Sequence, residues 1–322
     1  MNILYPFLHL DWSEFFNSSV DCEHIEKISH YLNISADNNY YISLCHFIYL
    51  NETGAVCIEG SPFKNHKFLI DTSIFEYCGH KSDSGGSLYV GSGECIQDRI
   101  CSFGSKAKGK GVYCYALASF EGRNYLLGST VTSSGEGSIN IYLDLGKIIM
   151  KSINISNSNL VDKNFYYIYY SSVSNVTLST FSNNTHNKND CESYHHGFAN
   201  TFEFKILFCN YIDNNCYTLI YCDTILHVSK CSFYKNYINS FYFSTSEYIL
   251  VSECYFDIQN LGISGSIKTT NNVSSIYPEN YHLSTGLCFA KLKFEDAEKI
   301  KNNEIPNTHS ITFHRYLHIY RR

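Results

Sequence analysis

Two six-residue segments, Cys209-Asn210-Tyr211-Ile212-Asp213-Asn214 and Cys231-Ser232-Phe233-Tyr234-Lys235-Asn236, share one pattern. Each segment begins with Cys, carries an aromatic residue at its third position and ends with Asn. The segment Cys254-Tyr255-Phe256 begins a further copy in the same register, and Phe181-Ser182-Asn183-Asn184 is an earlier relative. Because the same residue types return at the same offsets, these segments predict equivalent pieces of one repeated structural unit.

The aromatic or β-branched residue that marks this unit recurs every 22 to 30 residues. Each interval contains a second apolar run of strand length, and helical periodicity is weak. A unit of this kind is typical of one coil of a parallel β-helix, which buries its apolar face only when coils stack. The sequence therefore predicts an all-β protein, a right-handed parallel β-helix (solenoid) of about eight coils. We expect the markers to form one inward stack: Phe75, Phe103, Val131, Ile155, Phe181, Tyr211, Phe233 and Phe256.

The other two positions of the pattern also predict local structure. Asn tolerates left-handed backbone and can hydrogen-bond along a ladder, so we expect it at the bends between strands. We expect Cys209, Cys231 and Cys254 to stack inside at about one strand spacing. Parallel side-chain directions disfavour disulfide geometry, so these thiols are expected to be free. Many of the 14 cysteines then serve as small buried hydrophobes, although disulfides stay open for a secreted protein.

The distribution of proline supports the same fold. No proline lies between Pro62 and Pro278, and central strands that donate hydrogen bonds on both sides cannot accommodate it. The alternative is an irregular pair of β-sandwiches, which would usually place several prolines at edges and turns.

Two regions of different composition flank the repeat. Residues 1–62 are expected to form an N-terminal cap, for which the helical spacing of Ile25, Ile28 and Leu32 indicates one helix. Residues 63–262 form the predicted β-helix, and residues 263–322 a C-terminal cap and irregular tail. Caps are expected because an open end of a β-helix is an aggregating edge.

Charge and hydropathy exclude several classes of function. A net charge of −6 with 24 basic residues gives no electrostatic basis for binding nucleic acid. No apolar run reaches the eighteen residues of a membrane span, so we expect no transmembrane segment in this chain. Residues 1–10 are apolar but lack a basic flank, which makes them a poor signal peptide. Seven Asn-x-Ser/Thr sequons are weak evidence for export: Asn17, Asn33, Asn51, Asn154, Asn175, Asn183 and Asn272. Alternation would point Asn154 outward if Ile153 and Ile155 point inward.

One further motif is the segment Gly85-Gly86-Ser87-Leu88, which occurs in the same chain as the aromatic-x-x-Asn units at Phe181 and Phe233. These motifs resemble the repeats of chlamydial polymorphic outer-membrane proteins, which are built on a right-handed β-helix. The Asn-, Ser-, Tyr- and Cys-rich composition is similar to that of uncharacterised β-helix surface proteins of trichomonads. The resemblance covers roughly residues 60 to 260 and implies surface exposure and adhesion. It implies no catalytic residue, and we expect no counterpart in this chain to the membrane anchor or barrel of such proteins.

β-Helices also include polysaccharide lyases and hydrolases, so glycan cleavage is the alternative function. Such enzymes need clustered carboxylates for acid and base catalysis, or several acidic ligands for Ca²⁺. The acids of the repeat, such as Asp144, Asp213 and Asp257, fall singly and share no coil position. We therefore expect no catalytic residue, no cofactor and no metal.

The polar segment from Asn184 to Gly197 interrupts the register in the longest interval and is predicted to be an extruded loop. Binding residues are often placed on loops of rigid scaffolds. The candidate contact residues are Asn187, Asp190, Cys191, Glu192, His195 and His196. A zinc site using Cys191 with His195 or His196 is the less favoured alternative for this loop. The sequence as a whole indicates a non-catalytic interaction or adhesion module at the cell surface or secreted, with a host-cell or glycan ligand.

Overall fold

The computed structural model describes residues 12–16, 21–35, 38–60, 66–161, 165–186, 191–197, 203–257 and 263–274. One short helix, α1, spans Trp12–Phe15 in these ranges. The first strands are β1 (Glu23–Glu26), β2 (Leu32–Ser35), β3 (Tyr40–Ser43), β4 (His46–Ile48), β5 (Val56–Glu59), β6 (Lys67–Asp71), β7 (Ile74–Glu76), β8 (Gly79–His80), β9 (Leu88–Val90), β10 (Glu94–Asp98) and β11 (Cys101–Phe103). The central strands are β12 (Lys106–Ala107), β13 (Lys110–Leu117), β14 (Arg123–Leu127), β15 (Thr130–Thr132), β16 (Ile139–Asp144), β17 (Lys147–Lys151), β18 (Asn154–Ser156), β19 (Asn159–Leu160), β20 (Tyr166–Ser171), β21 (Val173–Thr177) and β22 (Thr180–Ser182). The last strands are β23 (Thr185–His186), β24 (Cys191–Gly197), β25 (Glu203–Leu207), β26 (Asn210–Ile212), β27 (Asn215–Cys222), β28 (Ile225–Ser229), β29 (Ser232–Tyr234), β30 (Tyr237–Ser252), β31 (Tyr255–Phe256) and β32 (Ile263–Thr270).

Each coil contributes a strand to three faces, and every strand pairs in parallel with its equivalent one coil away. The first face contains five-residue strands such as β6, β10, β14, β17, β21, β25 and β28. The second face is a sheet of nine strands in the order β31-β29-β26-β22-β18-β15-β11-β7-β4. The third face contains β5, β9, β13, β16, β20, β24 and β27, and β30 joins both the third and the first face. This arrangement is a β-solenoid, so the predicted all-β parallel β-helix is confirmed.

The inward stack on the second face is confirmed for every marker except Phe103. The register aligns Phe75, Ser102, Val131, Ile155, Phe181, Tyr211, Phe233 and Phe256, and it extends the column to Phe47. Consecutive rings of Phe181, Tyr211, Phe233 and Phe256 stack with centroids 4.7, 5.2 and 4.8 Å apart.

The prediction for Phe103 is wrong by one position. Phe103 aligns with Glu76 and Thr132, whereas the fully buried Ser102 occupies the column. The hydroxyl of Ser102 forms a hydrogen bond with that of Ser105 at 2.5 Å. The ring of Tyr113 packs edge-on against that of Phe75, with the ring centroids 6.2 Å apart. Tyr113, fully buried on the third face, therefore supplies the aromatic bulk that the small Ser102 side chain does not.

Two left-handed residues per coil flank the short strand of the second face. Asn occupies the second bend in two of the described coils, at Asn157 (φ 52°) and Asn183 (φ 53°), whereas other coils have residues such as Lys235 (φ 54°) there, so the prediction of Asn at the bends is confirmed only in part. The first bend contains residues such as Leu178 (φ 51°) and Phe208 (φ 57°). A non-glycine residue in this conformation costs roughly 1–2 kcal/mol. Hydrogen bonds between coils and burial of the coils therefore determine the backbone conformation at the first bend, against the local preference of these residues.

An asparagine ladder follows the second bend in the later coils. The backbone N–H of Asn184 donates to Oδ1 of Asn214 at 3.1 Å, and that of Asn214 donates to Oδ1 of Asn236 at 3.1 Å. The Nδ2 group of Asn214 donates in turn to the carbonyl of Phe181 at 2.8 Å. Each aromatic-x-x-Asn unit thus buries an aromatic ring and joins its coil to the preceding one.

A column of Cys and Ser precedes the short strands. Cys209, Cys231 and Cys254 are buried, unbridged and consecutive in this column, as predicted. The N–H of Cys209 donates to Sγ of Cys231 at 3.4 Å, and in an earlier coil the N–H of Ile153 donates to Oγ of Ser179 at 3.1 Å. Cys and Ser are interchangeable here because both accept this bond. Eleven cysteines are free among those described, and nine of these are buried.

The paired strands extend beyond residues 63–262 at both ends, since β1 pairs with β3 and β32 pairs with β30. The helix predicted from Ile25, Ile28 and Leu32 is wrong, because β1 and β2 occupy this region. Instead α1 and Phe16, here called the N-terminal strap (residues 12–16), pack on the outer side of the first face. Trp12 and Phe16 bury Leu69 and Ile96 there. Among the residues described, no helix has the length and apolar character needed to cross a membrane.

Candidate binding face

The predicted loop from Asn184 to Gly197 is largely regular structure. Thr185–His186 forms β23, and Cys191–Gly197 forms β24, which pairs with β20 and β27 on the third face. The backbone of Cys191, Glu192, His195 and His196 is therefore part of a strand, and the prediction of an extruded loop is wrong for these residues. Asn187 and Asp190 lie outside the described residues. The structure does not describe the side chains of Cys191, Glu192 and His196, so contact between these side chains and a ligand stays a prediction.

His195 is a core residue rather than a surface contact. Its side chain is fully buried, with Nε2 3.2 Å from the hydroxyl of Tyr166 and its ring 5.3 Å from that of Phe204. Burial lowers the pKa of His195 to about 3, and it lowers the pKa of the buried His186 to about 3 as well. Both imidazoles are neutral at physiological pH, and His195 cannot meet a ligand from solvent.

The third face instead presents a row of tyrosines on its outer side, here called the tyrosine ladder (Tyr89, Tyr115, Tyr142 and Tyr167). The strand register aligns these four residues on adjacent coils, and it places Tyr194 and Tyr221 at the next positions. Ring centroids are 5.3, 4.9 and 5.2 Å apart, with interplanar angles of 11°, 2° and 10°. The rings cover one another's faces, so the ladder offers ring edges and hydroxyl groups to a ligand.

Alternation along the third-face strands explains why the ladder points outward. Each tyrosine lies between two buried neighbours, as Tyr89 does between Leu88 and Val90, and as Tyr142 does between Ile141 and Leu143. Successive side chains of a strand point to opposite sides, so the two neighbours fill the core and the tyrosine faces out. The signal was present in the sequence as tyrosines at the centre of apolar triplets.

The phenol groups of the ladder are neutral and able both to donate and to accept hydrogen bonds. Burial raises the pKa of Tyr115 to about 12, and it raises the pKa of Tyr89 and of Tyr142 above the ordinary value. Tyr142 is almost fully buried between its neighbours and donates to Oδ2 of Asp144 at 3.1 Å. Lys110 Nζ lies 4.8 Å from its ring centroid. Tyr89, Tyr115 and Tyr167 are partly exposed, so they form the accessible part of the ladder.

Two aspartates share a coil position, contrary to the sequence-based expectation. Asp71 and Asp98 are register partners at the ends of β6 and β10. Arg99 joins them, with Nη2 2.8 Å from Oδ1 of Asp71 and Nε 3.1 Å from Oδ2 of Asp98. Burial raises the pKa of Asp98 to about 7, Arg99 opposes this rise, and Asp71 adds to it. Both aspartates stand four residues before a stack position, and placing Phe103 rather than Ser102 in the stack concealed this alignment.

Clustered metal ligands are absent from the part of the chain that is described: no three His, Cys, Asp or Glu side chains come together there. The zinc alternative also involved Cys191 and His196, whose side chains are not described. His195, its other candidate ligand, contacts Tyr166 through Nε2.

Comparison with known proteins returned no match: no protein-family model, no curated protein and no solved structure is similar to this chain.

Proposed function

We propose that this protein is a non-catalytic interaction module that binds a linear glycan along the tyrosine ladder. The observation that carries the proposal is the unbroken stack of Tyr89, Tyr115, Tyr142 and Tyr167 on an outer side of the solenoid. Outward residues of a solenoid need not be aromatic for the core to form, so four stacked tyrosines on consecutive coils of this column require another reason.

The spacing and chemistry of the ladder suit a polysaccharide. Neighbouring coils repeat at about 4.8 Å, which is close to the length of one sugar unit in an extended chain. The neutral hydroxyls can each exchange donor and acceptor roles with sugar hydroxyls, and the ring edges can contact C–H groups. A single extended chain could therefore make the same contact at successive coils.

Two further features support a surface or secreted location. Cys101 is disulfide-bonded, and disulfides persist in oxidising compartments. The sequon residues Asn33, Asn51, Asn183 and Asn272 are exposed. Asn154 was expected to point outward, but it is 1% exposed because β18 is buried along its whole length. The resemblance to β-helix surface proteins agrees with this location and with a right-handed winding, which stays part of the proposal.

The Asp71–Asp98 pair gives little support to the alternative, a carbohydrate-active enzyme. Asp71 has no exposed surface, and the guanidinium of Arg99 contacts both carboxylates. An acid–base pair must reach the glycosidic oxygen and a water or the anomeric carbon. Here one member of the pair is enclosed and both are engaged by Arg99.

The test removes two hydroxyl groups without disturbing the stack. We expect Y115F/Y167F to bind soluble linear glycans (xylan, mannan and hydroxyethyl cellulose) roughly tenfold more weakly than the wild type, because two hydrogen bonds are lost. Binding is measured by affinity electrophoresis and biolayer interferometry with the full chain. The circular dichroism spectrum should be unchanged, since Phe stacks as Tyr does.

The matched control is Y49F/Y77F. Tyr49 and Tyr77 also stack, with centroids 5.2 Å apart, but at an exposed bend beside the second face. This control should bind as the wild type does. Equal binding by the wild type and Y115F/Y167F, or no binding of the wild type to any of these glycans, would contradict the proposal.

A further inference from the structure

A concave surface lies on the outer side of the first face, in the C-terminal coils. It is a groove of about 440 Å³ formed by β25, β28, β30 and β32. The register places Lys205, His227, Leu250 and Lys268 in one column across these strands. Lys205 and Lys268 are three coils apart, which corresponds to roughly 14 Å at the usual strand spacing. The volume lies within the usual range of small-ligand clefts.

The groove is cationic in a chain whose net charge is −6. Its lining contains Lys205, Lys268 and His227, and none of the lining residues that the structure describes is acidic. Glu203 stands at the border, with Oε2 3.9 Å from Nε2 of His227. In the N-terminal coils of the same face, Arg123 binds Glu94 at 2.5 Å and the N-terminal strap covers the surface. In the C-terminal coils, Lys205 and Lys268 line the concavity, whereas Lys230 lies outside it and pairs with Glu253 at 3.9 Å.

The remaining lining residues define what kind of anion fits. Leu207 and Leu250 provide apolar contacts, while Ser229, Ser252 and Thr270 provide hydroxyl groups. An inorganic ion would use only the cations, whereas an acidic sugar has C–H groups for the leucines and hydroxyls for Ser and Thr. Lysine ammonium groups act as point charges and accept either a carboxylate or a sulfate without a fixed geometry. We infer that this groove binds an acidic glycan, with its anionic groups on Lys205 and Lys268.

The site is separate from the tyrosine ladder, and its test does not depend on it. The full chain is titrated with alginate, which carries carboxylates, with dextran sulfate, which carries sulfates, and with uncharged dextran. We expect at least one acidic polymer to bind more tightly than dextran, and its affinity to fall with added salt. The double variant K205Q/K268Q should lose affinity about tenfold, and the polymer that shows the loss identifies the preferred anion.

The control variant K106Q/K108Q removes one lysine of β12 and the lysine just after this strand, away from the groove, and changes the net charge equally. It should bind as the wild type does. An equal loss in both double variants would show that net charge rather than the groove is responsible, which would overturn the inference. Unchanged binding by K205Q/K268Q, or equal binding of dextran, would overturn it as well. The same comparison is made in the Y115F/Y167F background, where K205Q/K268Q should cause the same loss of affinity for the acidic polymer, so failure of the ladder proposal is distinguishable.

Discussion

Each asparagine of the ladder joins two coils through both of its polar atoms. Asn214 accepts the backbone N–H of Asn184 and donates to the carbonyl of Phe181. A buried backbone group without a partner costs about 1–3 kcal/mol. One side chain therefore satisfies two groups that the bend would otherwise leave without partners, which explains why Asn follows the aromatic residue by three positions.

This arrangement predicts a large effect of N214A. We expect a loss of about 2–4 kcal/mol in the free energy of unfolding, because two buried backbone groups lose their partners. The control is N183G, which alters the exposed residue before Asn184 on the neighbouring coil and keeps its left-handed backbone (φ 53°). It should change stability by less than about 1 kcal/mol. Urea unfolding followed by circular dichroism measures both, and equal costs for the two variants would exclude a stabilising role of the ladder.

His195 makes stability depend on pH. The native pKa of about 3 lies below the unfolded value of 6.5, so between these values the unfolded chain binds a proton that the native chain does not. The resulting stability is complete above pH 6.5 and is lost as the pH falls toward 3. The raised pKa values of Asp98 and Asp144 act in the opposite direction. Only a comparison between variants therefore isolates the contribution of the imidazole.

We predict that H195Q is less sensitive to acid than the wild type. Between pH 7 and pH 5 the wild type should lose roughly 2 kcal/mol more of its unfolding free energy, at about 1.4 kcal/mol per pH unit below 6.5. Glutamine retains a polar atom for the Tyr166 hydroxyl. The control H30Q changes an exposed histidine and should follow the wild type. Parallel pH profiles for H195Q and the wild type would contradict this role.

At the scale of elements, the sequence predicted the repeated short strand of the second face. It did not predict for every coil which residue of that strand lies in the inward stack. Aromatic-x-x-Asn units fix the second face where the pattern is complete, as at Phe181, Tyr211 and Phe233. Where Ser102 replaces the aromatic residue, the nearest ring, Phe103, misled the alignment by one residue. A shift of one residue reverses which side chains point inward. The same shift concealed the partnership of Asp71 with Asp98.

The candidate site was harder to predict than the fold. Polarity and an irregular interval suggested a loop at Asn184 to Gly197, yet strand pairing with β20 and β27 made Cys191–Gly197 a strand. His195 is polar by residue type but lies among Tyr166 and Phe204 in the core. The tyrosine ladder, in contrast, left a signal in the sequence, a tyrosine at the centre of each apolar triplet, but the alignment of these tyrosines in one column follows only from the pairing of the third-face strands. Surface placement in a solenoid is decided by register, and a single sequence determines register weakly.

At the scale of the whole molecule, the two ends of the first face differ in what lies on their outer side. A solenoid is stabilised mainly by contacts between neighbouring coils, so its outer faces do not depend on distant parts of the chain. The N-terminal strap is an exception, because Arg123 Nη1 bonds to the carbonyl of Phe15 across more than a hundred residues of sequence. The strap covers Leu69 and Ile96, whereas the C-terminal coils of this face keep an open groove.

This separation predicts that the strap can detach before the solenoid unfolds. Trp12 is the single tryptophan of the chain, and its ring packs against that of Phe16 with the ring centroids 4.4 Å apart. Its fluorescence therefore reports on the strap alone. Arg123 holds the strap through the Phe15 carbonyl and lies 4.7 Å over the ring of Phe16. In R123Q we expect red-shifted emission and stronger acrylamide quenching at urea concentrations where circular dichroism still shows the native solenoid. The control K147Q removes an exposed cation from a neighbouring strand of the same face and should leave Trp12 buried. Coincident fluorescence and circular dichroism transitions in R123Q would mean that the strap and the coils unfold as one unit. Early loss of fluorescence alone would show that the first face can be uncovered along its N-terminal half while the coils remain paired.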